Sequence, residues 1–255
     1  MSARSPILAL GSAKGGVGRT FLAVGIAQAL AQAGRSVLLV DADLTAASID
    51  LHLGLARRTD LLDVLAGRAS LADALVQDPR SGITVVPGRS GSGLVGQVTD
   101  QAMDRLGCDL LDLAARFDIT ILDLGGGLER SVRRLAALAD QALVVTADEP
   151  SALADAYAFI KVARDRQEHQ IIVNMAETET EGRATYGVLR RVCIHFLARE
   201  PALLGIVHRD PRVAEALKAQ TPLLTRHPNS RAAQDITRLA QGLMSSLGGP
   251  QQPPA

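Results

Sequence analysis

Short apolar runs alternate with longer helical patterns along almost all of this 255-residue chain. The runs are rich in Val, Ile and Leu and are bounded by Gly, Asp or Pro, which is typical of strands buried on both faces of a sheet. The alternation predicts an α/β fold, with a mostly parallel twisted sheet and helices on both of its faces. The predicted strands span residues 7–11, 36–41, 82–87, 118–123, 141–146, 170–174 and 204–208.

Helical patterns fill the intervals between these strands, and no linker long enough to separate two domains interrupts them. We therefore predict a single domain over residues 1–247, followed by a disordered tail over residues 248–255. The predicted helices span residues 20–33, 100–117, 130–139, 151–166, 183–199, 211–219 and 230–247.

Composition argues against several classes of protein. Lys plus Arg and Asp plus Glu both number 27, so the net charge offers no bulk attraction to nucleic acid. Cys108 and Cys193 lie in separate segments without a His or Cys at ligand spacing, which argues against a disulfide or a metal site. No segment approaches the roughly 18 apolar residues of a membrane span, and residues 1–5 lack the apolar run of a signal peptide. We expect a cytoplasmic protein.

The first predicted strand runs directly into a glycine-rich segment, GSAKGGVGRT at residues 11–20, and an Ala- and Leu-rich helix follows at once. A phosphate-binding loop requires this context, because glycines let backbone N–H groups converge on the phosphates and the helix N-terminus adds partial positive charge. Against the strict P-loop pattern, Ala13 replaces the first Gly and Arg19 replaces the Lys. A glycine-rich turn without a ligand is the alternative. The predicted phosphate-binding residues are Gly15, Gly16, Val17, Gly18, Arg19, Thr20 and Phe21.

Two further strand ends carry carboxylates. The second strand ends in the sequence Asp41-Ala-Asp43, and the fourth ends in Asp123 before three glycines at residues 125–127. Open α/β sheets bind ligands at the edge where the carboxyl ends of their strands meet. A single Asp after a strand is usually a helix cap or turn residue, but three such strand ends together favour a Mg²⁺–nucleotide site.

The segments KGGVGRT at residues 14–20 and VDAD at residues 40–43 resemble the deviant Walker A ATPases of the MinD/ParA group. The resemblance extends from residue 7 to about residue 247. Within the group, the chain is most similar to the FlhG branch, which regulates flagellar number. The matching stretches are LVDADL at 39–44, IDLHLG at 49–54, ILDLGGG at 121–127, ADQALVVTADEPSALADAY at 139–157 and HRDPRV at 208–213.

The resemblance implies that residues 1–247 are a P-loop ATPase domain that binds ATP and Mg²⁺ and forms a homodimer when ATP is bound. Lys14 would be the signature lysine that reaches the phosphates of the partner subunit, and Asp43 would orient the attacking water. Thr20 would bind Mg²⁺ directly, Asp123 would hold it through water, and Asp41 would support the coordination shell of the metal.

The resemblance also places Asn174, Arg209 and Asp210 around the adenine. Each has a structural alternative that the sequence leaves open. Asn174 could cap its strand, and the Arg-Asp pair could start a helix at Pro211, a common use of Asp-Pro.

Arg19 is the important departure from the family, which has Lys at this position. Arg is longer, planar and forked, so the change is not conservative at a crowded site. Arg can still bind phosphate through two donors, whereas a displacement of about 1 Å can cost roughly 100-fold in rate. We therefore predict that ATP binding survives and that hydrolysis is slow or lost. The alternative function is a nucleotide-sensing module that does not hydrolyse ATP.

Partner signals are weaker. Family members engage an FlhF-like GTPase through an N-terminal helix that begins Asp-Gln-Ala; with six residues before the first strand, we expect no such helix, and DQAMDRL at 100–106 lies mid-chain. The apolar stripe of the last helix has few basic neighbours, so packing against the sheet is favoured over binding a membrane surface.

A ParA-like DNA-partitioning ATPase, the third hypothesis, would need a basic surface. Four arginines could supply one, although a solvated helix face explains the same residues. The residues concerned are Arg183, Arg190, Arg191 and Arg199.

Overall fold

The structure is a computed structural model that describes residues 5–13, 15–56, 59–90, 98–163 and 168–247. Its centre is one eight-stranded sheet in the order β3-β4-β2-β5-β1-β6-β7-β8. All neighbouring strands are parallel except β3 and β4. This arrangement confirms the predicted single-domain α/β fold. The strands are β1 (Ile7–Gly11), β2 (Val37–Ala42), β3 (Val76–Asp78), β4 (Ile83–Val86), β5 (Ile119–Leu124), β6 (Gln141–Thr146), β7 (Glu168–Ala176) and β8 (Ala202–His208).

Helices cover both faces of the sheet, because the strands send alternate side chains to opposite sides. In β1, Ile7 and Ala9 join the core on one face of the sheet, whereas Leu8 and Leu10 join the core on the other face. The helices are α1 (Arg19–Gln32), α2 (Ile49–Leu53), α3 (Leu61–Leu65), α4 (Asp100–Ala114), α5 (Arg130–Ala136), α6 (Pro150–Val162), α7 (Glu179–Leu197), α8 (Pro211–Lys218), α9 (Leu223–Arg226) and α10 (Arg231–Ser246).

The strand register brings the predicted site residues to one edge. Asp123 of β5 pairs with Leu10 of β1 on one side and with Asp41 of β2 on the other. Since β1 lies between β5 and β6, the chain leaves β1 at the point where the strand order reverses, which is where open α/β sheets bind their ligands.

All seven predicted strands and all seven predicted helices are present. β1 and β6 have their predicted bounds, and the other predicted strands differ from the structure by one or two residues at an end. Three predicted helices are too long: α4 ends at Ala114, α5 ends at Ala136, and α6 ends at Val162, where Ala163 adopts an extended backbone. Another starts too late: α7 begins at Glu179, after the Thr178 hydroxyl that caps it. Four short elements, β3, α2, α3 and α9, were not predicted. The tail predicted over residues 248–255 lies outside the described residues.

The apolar stripe of α10 is buried against α1 and β8. Gly25 of α1 lets α1 and α10 approach closely, because a side chain there would not fit: an added Cβ would lie 2.9 Å from the Ile236 side chain. Asp235 is the charged residue on this buried face, and it accepts hydrogen bonds from the backbone N–H and from Nδ1 of His208 at 2.9 and 2.8 Å. The packing supports the prediction that this helix covers the sheet. Within the described ranges, no helix is long and apolar enough to cross a membrane.

Truncation of Ile236 tests this role of α10. Ile236 is fully buried, so Ile236→Ala leaves a cavity between α10 and α1 and should lower the free energy of unfolding by about 2–5 kcal/mol. Urea denaturation measures the change. Gln241→Ala, at an exposed position of the same helix, is the control and should change stability by less than about 0.5 kcal/mol. Equal effects for the two variants would show that α10 is not part of the core.

Candidate functional site

The glycine-rich loop between β1 and α1 has a backbone that only glycine adopts readily. Gly16 and Gly18 both have φ of 84°, in the left-handed region where a Cβ is unfavourable. The carbonyl of Gly18 accepts the first helical hydrogen bond of α1, from Leu22 at 3.0 Å. The N-terminus of α1 therefore opens directly onto the loop, as in phosphate-binding sites. Lys14, predicted to be the signature lysine, lies outside the described residues.

Arg19, at the first position of α1, turns its guanidinium toward the ends of neighbouring strands. Nε donates to the carbonyl of Leu124 at 3.1 Å, and Nη1 donates to the carbonyl of Ser12 at 3.1 Å. Nη2 lies 3.8 Å from Oδ2 of Asp43. The residue is buried, with 9% of its surface exposed. Arg19 thus links the ends of β1 and β5 to the carboxylate that follows β2.

Asp41 and Asp43 are held by the segment that follows β2. Oδ2 of Asp41 accepts hydrogen bonds from the backbone N–H groups of Ser48 and Ile49, both at 2.9 Å. Oδ1 of Asp43 accepts from the N–H and hydroxyl of Thr45, at 3.0 and 2.7 Å, and from the next N–H. Each carboxylate therefore has one oxygen committed to the backbone, which fixes the direction of the other.

The remaining carboxylate oxygens are suited to a hard cation. Oδ1 of Asp41 and both oxygens of Asp123 are buried and have no hydrogen bond of ordinary geometry within the described part of the chain. Unpaired buried carboxylate oxygens are costly, and oxygen is the ligand that Mg²⁺ prefers. The described residues contain no group of three His, Cys, Asp or Glu side chains close enough to enclose a metal ion. Mg²⁺ fits such a site, because it usually keeps several waters and binds one or two carboxylates together with substrate phosphates.

Burial shifts the protonation of these carboxyl groups. Burial and, next, the charge of Asp123 raise the pKa of Asp41 from 3.8 to about 8. Burial also raises the pKa of Asp123, to about 6, although the Thr20 hydroxyl and the Arg19 charge oppose this shift. Thr20 is therefore near Asp123, as the predicted magnesium site requires.

Three glycines after β5 allow the chain to pass close over this cluster. A Cβ at Gly125 would lie 3.0 Å from Oδ1 of Asp43, and one at Gly126 would lie 3.4 Å from Nη2 of Arg19. The N–H of Gly127 donates to the carbonyl of Ala13 at 2.9 Å, so the segment also contacts the phosphate loop. Side chains at positions 125 and 126 would displace the charged groups that the site brings together.

Asn174 contacts the phosphate loop from β7. Its Nδ2 donates to the carbonyl of Val17 at 2.8 Å, and a Cβ at Gly18 would lie 2.4 Å from the same nitrogen. The strand continues to Ala176, so Asn174 does not cap its end. The next residue, Met175, has φ of 58°, and the pairing of β7 with β8 is irregular at this point. This local distortion accompanies an amide that is aimed at the loop.

Arg209 and Asp210 make contacts that favour their structural alternative. Nε of Arg209 pairs with Glu177 at 2.6 Å, and both side chains are exposed. Oδ1 of Asp210 caps α8 by accepting from the N–H of Arg212 at 2.9 Å, and its Oδ2 accepts from the N–H of Ala232 in α10 at 3.1 Å. Asp210 therefore joins the starts of two helices, a role that the sequence only half predicts through its Asp-Pro pair.

Three features of the site were missed at the sequence level. They are the carbonyls of Ser12 and Leu124 that hold Arg19 and the backbone of residues 45–49 that orients the two aspartates. No side-chain pattern identifies a backbone donor or acceptor. Oδ2 of Asp41 accepts from the N–H groups at the start of the short helix α2, whose own N-cap residue, Ser48, makes no side-chain cap.

Comparison with known proteins identifies the class. Residues 8–223 match the family described as the CobQ/CobB/MinD/ParA nucleotide binding domain, and the chain belongs to this family. Antiactivator FleN of Pseudomonas aeruginosa is 34% identical over 238 residues, which cover 92% of this chain and 85% of that protein. Flagellum site-determining protein YlxH of Helicobacter pylori is 29% identical over 243 residues, covering 94% and 82%. Septum site-determining protein MinD of Pyrococcus horikoshii, solved with Mg-ADP, has a TM-score of 0.82 at 26% identity, covering 95% and 97%.

The raised carboxyl pKa values make the stability of the metal-free protein depend on pH. Because folding raises these pKa values above 3.8, the aspartates stabilise the fold fully only below about pH 4, and this contribution is lost progressively as pH rises, up to about pH 6 for Asp123 and up to about pH 8 for Asp41. Asp41→Asn removes the Asp41 contribution, so its Tm relative to wild type should increase from about pH 4 to about pH 8 and change little above that. Thermal denaturation in EDTA measures the difference. Asp109→Asn, at an exposed position of α4, should run parallel to wild type; a parallel curve for Asp41→Asn would refute the assignment.

Proposed function

We propose that this chain is an ATP- and Mg²⁺-binding switch ATPase, which dimerises when ATP is bound and regulates the number or placement of flagella. The observation that carries the nucleotide site is the meeting, at one end of the central strands, of a positive-φ glycine loop with buried carboxylate oxygens that have no hydrogen bond of ordinary geometry to the described residues. Similarity to the flagellum site-determining protein YlxH supports the flagellar assignment. Such a switch requires ATP to bind the dimer more tightly than the monomer.

The proposed roles follow from position. Residues 15–21 hold the phosphates, and the Thr20 hydroxyl binds the metal. Asp41 and Asp123 present oxygens to the metal and its waters, and Mg²⁺ supplies charge neutralisation of the phosphates. Asp43 orients the attacking water, and Lys14 reaches the partner subunit's phosphates. The domain over residues 1–247 carries all of these groups.

Asn174 can select the base. A carbonyl only accepts hydrogen bonds, so the carbonyl of Val17 fixes Nδ2 on its side and leaves Oδ1 as the acceptor of the amide. The 6-amino group of adenine can donate to such an oxygen, whereas the 6-oxo group of guanine cannot. An amide held in this orientation therefore favours ATP over GTP. We propose that Arg209 and Asp210, which connect β8 to α8, only line the wall of the base pocket.

Removal of the Asn174 amide tests base selection. Wild type should bind ATP more tightly than GTP by at least about 10-fold, because a mispaired polar group costs about 1–3 kcal/mol. Asn174→Ala should reduce this ratio to about 1–3 and weaken both nucleotides, since the loop also loses its contact at Val17. Fluorescent-nucleotide displacement gives both constants. An unchanged ratio would exclude Asn174 from base recognition.

Arg19 bears on whether the switch hydrolyses ATP. Its guanidinium lies beside Asp43, the group expected to orient water, and its fork replaces the compact ammonium of the family. This contact favours the second candidate function, a nucleotide sensor that binds ATP without turning it over.

Side-by-side measurement of wild type and Arg19→Lys decides between the two. Both proteins should bind ATP, and Arg19→Lys should raise steady-state turnover by about 10–100-fold over a slow wild type. Wild-type turnover at the rate of the variant would show that Arg19 is a tolerated replacement. Failure of both proteins to bind ATP would overturn the proposed function itself.

Two of the four arginines considered for a DNA-binding surface are paired with glutamates, and a third is held by a backbone carbonyl. Arg183 pairs with Glu179 at 2.9 Å and Arg190 pairs with Glu200. Arg199 donates to the carbonyl of Ile160 at the end of α6, at 2.6 Å. A nucleic-acid partner is therefore not proposed.

Protein partners remain the better proposal, either an FlhF-like GTPase or a component of the flagellar basal body. The Asp-Gln-Ala segment of α4 does not supply the contact, since Asp100 pairs with Arg130 and Arg134 and Asp104 pairs with Arg134. We propose a cytoplasmic location, and the burial of the α10 stripe argues against that stripe as a membrane anchor.

A further inference from the structure

We propose that Arg19 is a built-in cation of this site, which neutralises its carboxylates before nucleotide binds and competes with the divalent metal for them. The inference rests on the proposed function, because it concerns how the same site takes up Mg²⁺. It assigns to this chain a metal dependence that differs from that of a lysine-containing site.

The geometry holds the guanidinium in place from three directions. The carbonyls of Leu124 and Ser12 accept from Nε and Nη1, both at 3.1 Å. A Cβ at Gly126 would lie 3.4 and 3.5 Å from Nη2 and Nη1, so the planar group rests against the glycine backbone. This arrangement uses the fork and the flat face of Arg, neither of which Lys possesses. The two carbonyls thus position the charge without neutralising it.

The charge faces the acidic cluster. Nη2 is 3.8 Å from Oδ2 of Asp43, and the positive charge of Arg19 acts on Asp123 as well. Asp41, Asp43 and Asp123 are all at least nine-tenths buried, where water screens their mutual repulsion poorly. A buried carboxylate cluster without a cation is strongly unfavourable. Arg19 supplies the cation while the metal is absent.

A divalent ion that approaches the same carboxylates meets this charge. Its binding must overcome repulsion from Arg19 or displace the guanidinium from the carbonyls of Ser12 and Leu124. Free Mg²⁺ should therefore stabilise the wild-type protein little. If a neutral residue replaces Arg19, the carboxylates are left without their cation, and Mg²⁺ alone should bind to them and stabilise the fold.

Thermal denaturation with and without millimolar MgCl₂, in the absence of nucleotide, tests the proposal. We expect Mg²⁺ to raise the Tm of wild type by less than about 1 °C and that of Arg19→Met by about 3 °C or more. Arg133→Met, which removes an exposed charge from α5, is the matched control and should behave as wild type. Equal shifts for wild type and Arg19→Met would overturn the proposal.

Arg19→Lys keeps the inference testable if Arg19→Met does not fold. Lysine retains the charge but cannot bond both carbonyls through a fork, so the Mg²⁺-induced shift should exceed that of wild type. A shift equal to that of wild type would count against the proposal. Because no nucleotide is present, these results judge the role of Arg19 even if ATP binding, the test of the proposed function, fails.

Discussion

The register of three parallel strands is the constraint on which the rest of the site depends. Pairing of Leu10 with Asp123, and of Asp123 with Asp41, brings two carboxylates to the level at which β1 ends and its glycine loop begins. A slip of one residue in β5 would turn Asp123 to the other face of the sheet and Leu122 toward the site. The apolar core on each face opposes such a slip, because alternate residues of every central strand are already committed to one core or the other.

Burial of several aspartates at the ends of these strands destabilises the fold, and nearby hydrogen-bond donors reduce this cost. Backbone N–H groups of residues 45–49 donate to one oxygen each of Asp41 and Asp43, and the guanidinium of Arg19 offsets part of the charge that remains. The oxygens of Asp123 have no hydrogen bond of ordinary geometry within the described residues. A site that is only partly satisfied stores free energy, and binding of a metal and a charged ligand can recover it. The same imperfection that lowers the stability of the empty protein therefore favours its ligand.

The sequence predicted the scaffold better than the details of the site. Seven strands and seven helices follow from hydrophobic periodicity, which is strong in runs such as Ile7–Gly11. The missed elements β3, α2, α3 and α9 have only three to five residues, too few to display a period. Strand ends and motif spacing predicted that Asp41, Asp43 and Asp123 would meet. Neither could predict the direction of the Arg19 side chain, because backbone carbonyls of residues 12 and 124 determine it.

Arg19 thus connects two properties of the site, the uptake of the metal and the readiness of Asp43 to act on water. Oδ1 of Asp43 is held by Thr45 and Ala46, so Oδ2, the oxygen nearest Arg19, is the one that would orient a water molecule under the proposed function. A guanidinium that stays beside this oxygen lowers its capacity to act on water, and the same guanidinium offsets the charge that would attract the metal. If it moves toward the phosphates of a bound nucleotide, both restraints are relieved together. The position of one side chain would then couple metal uptake to the readiness of the site for hydrolysis, and a lysine, which lacks the fork that grips two carbonyls, would couple them less tightly.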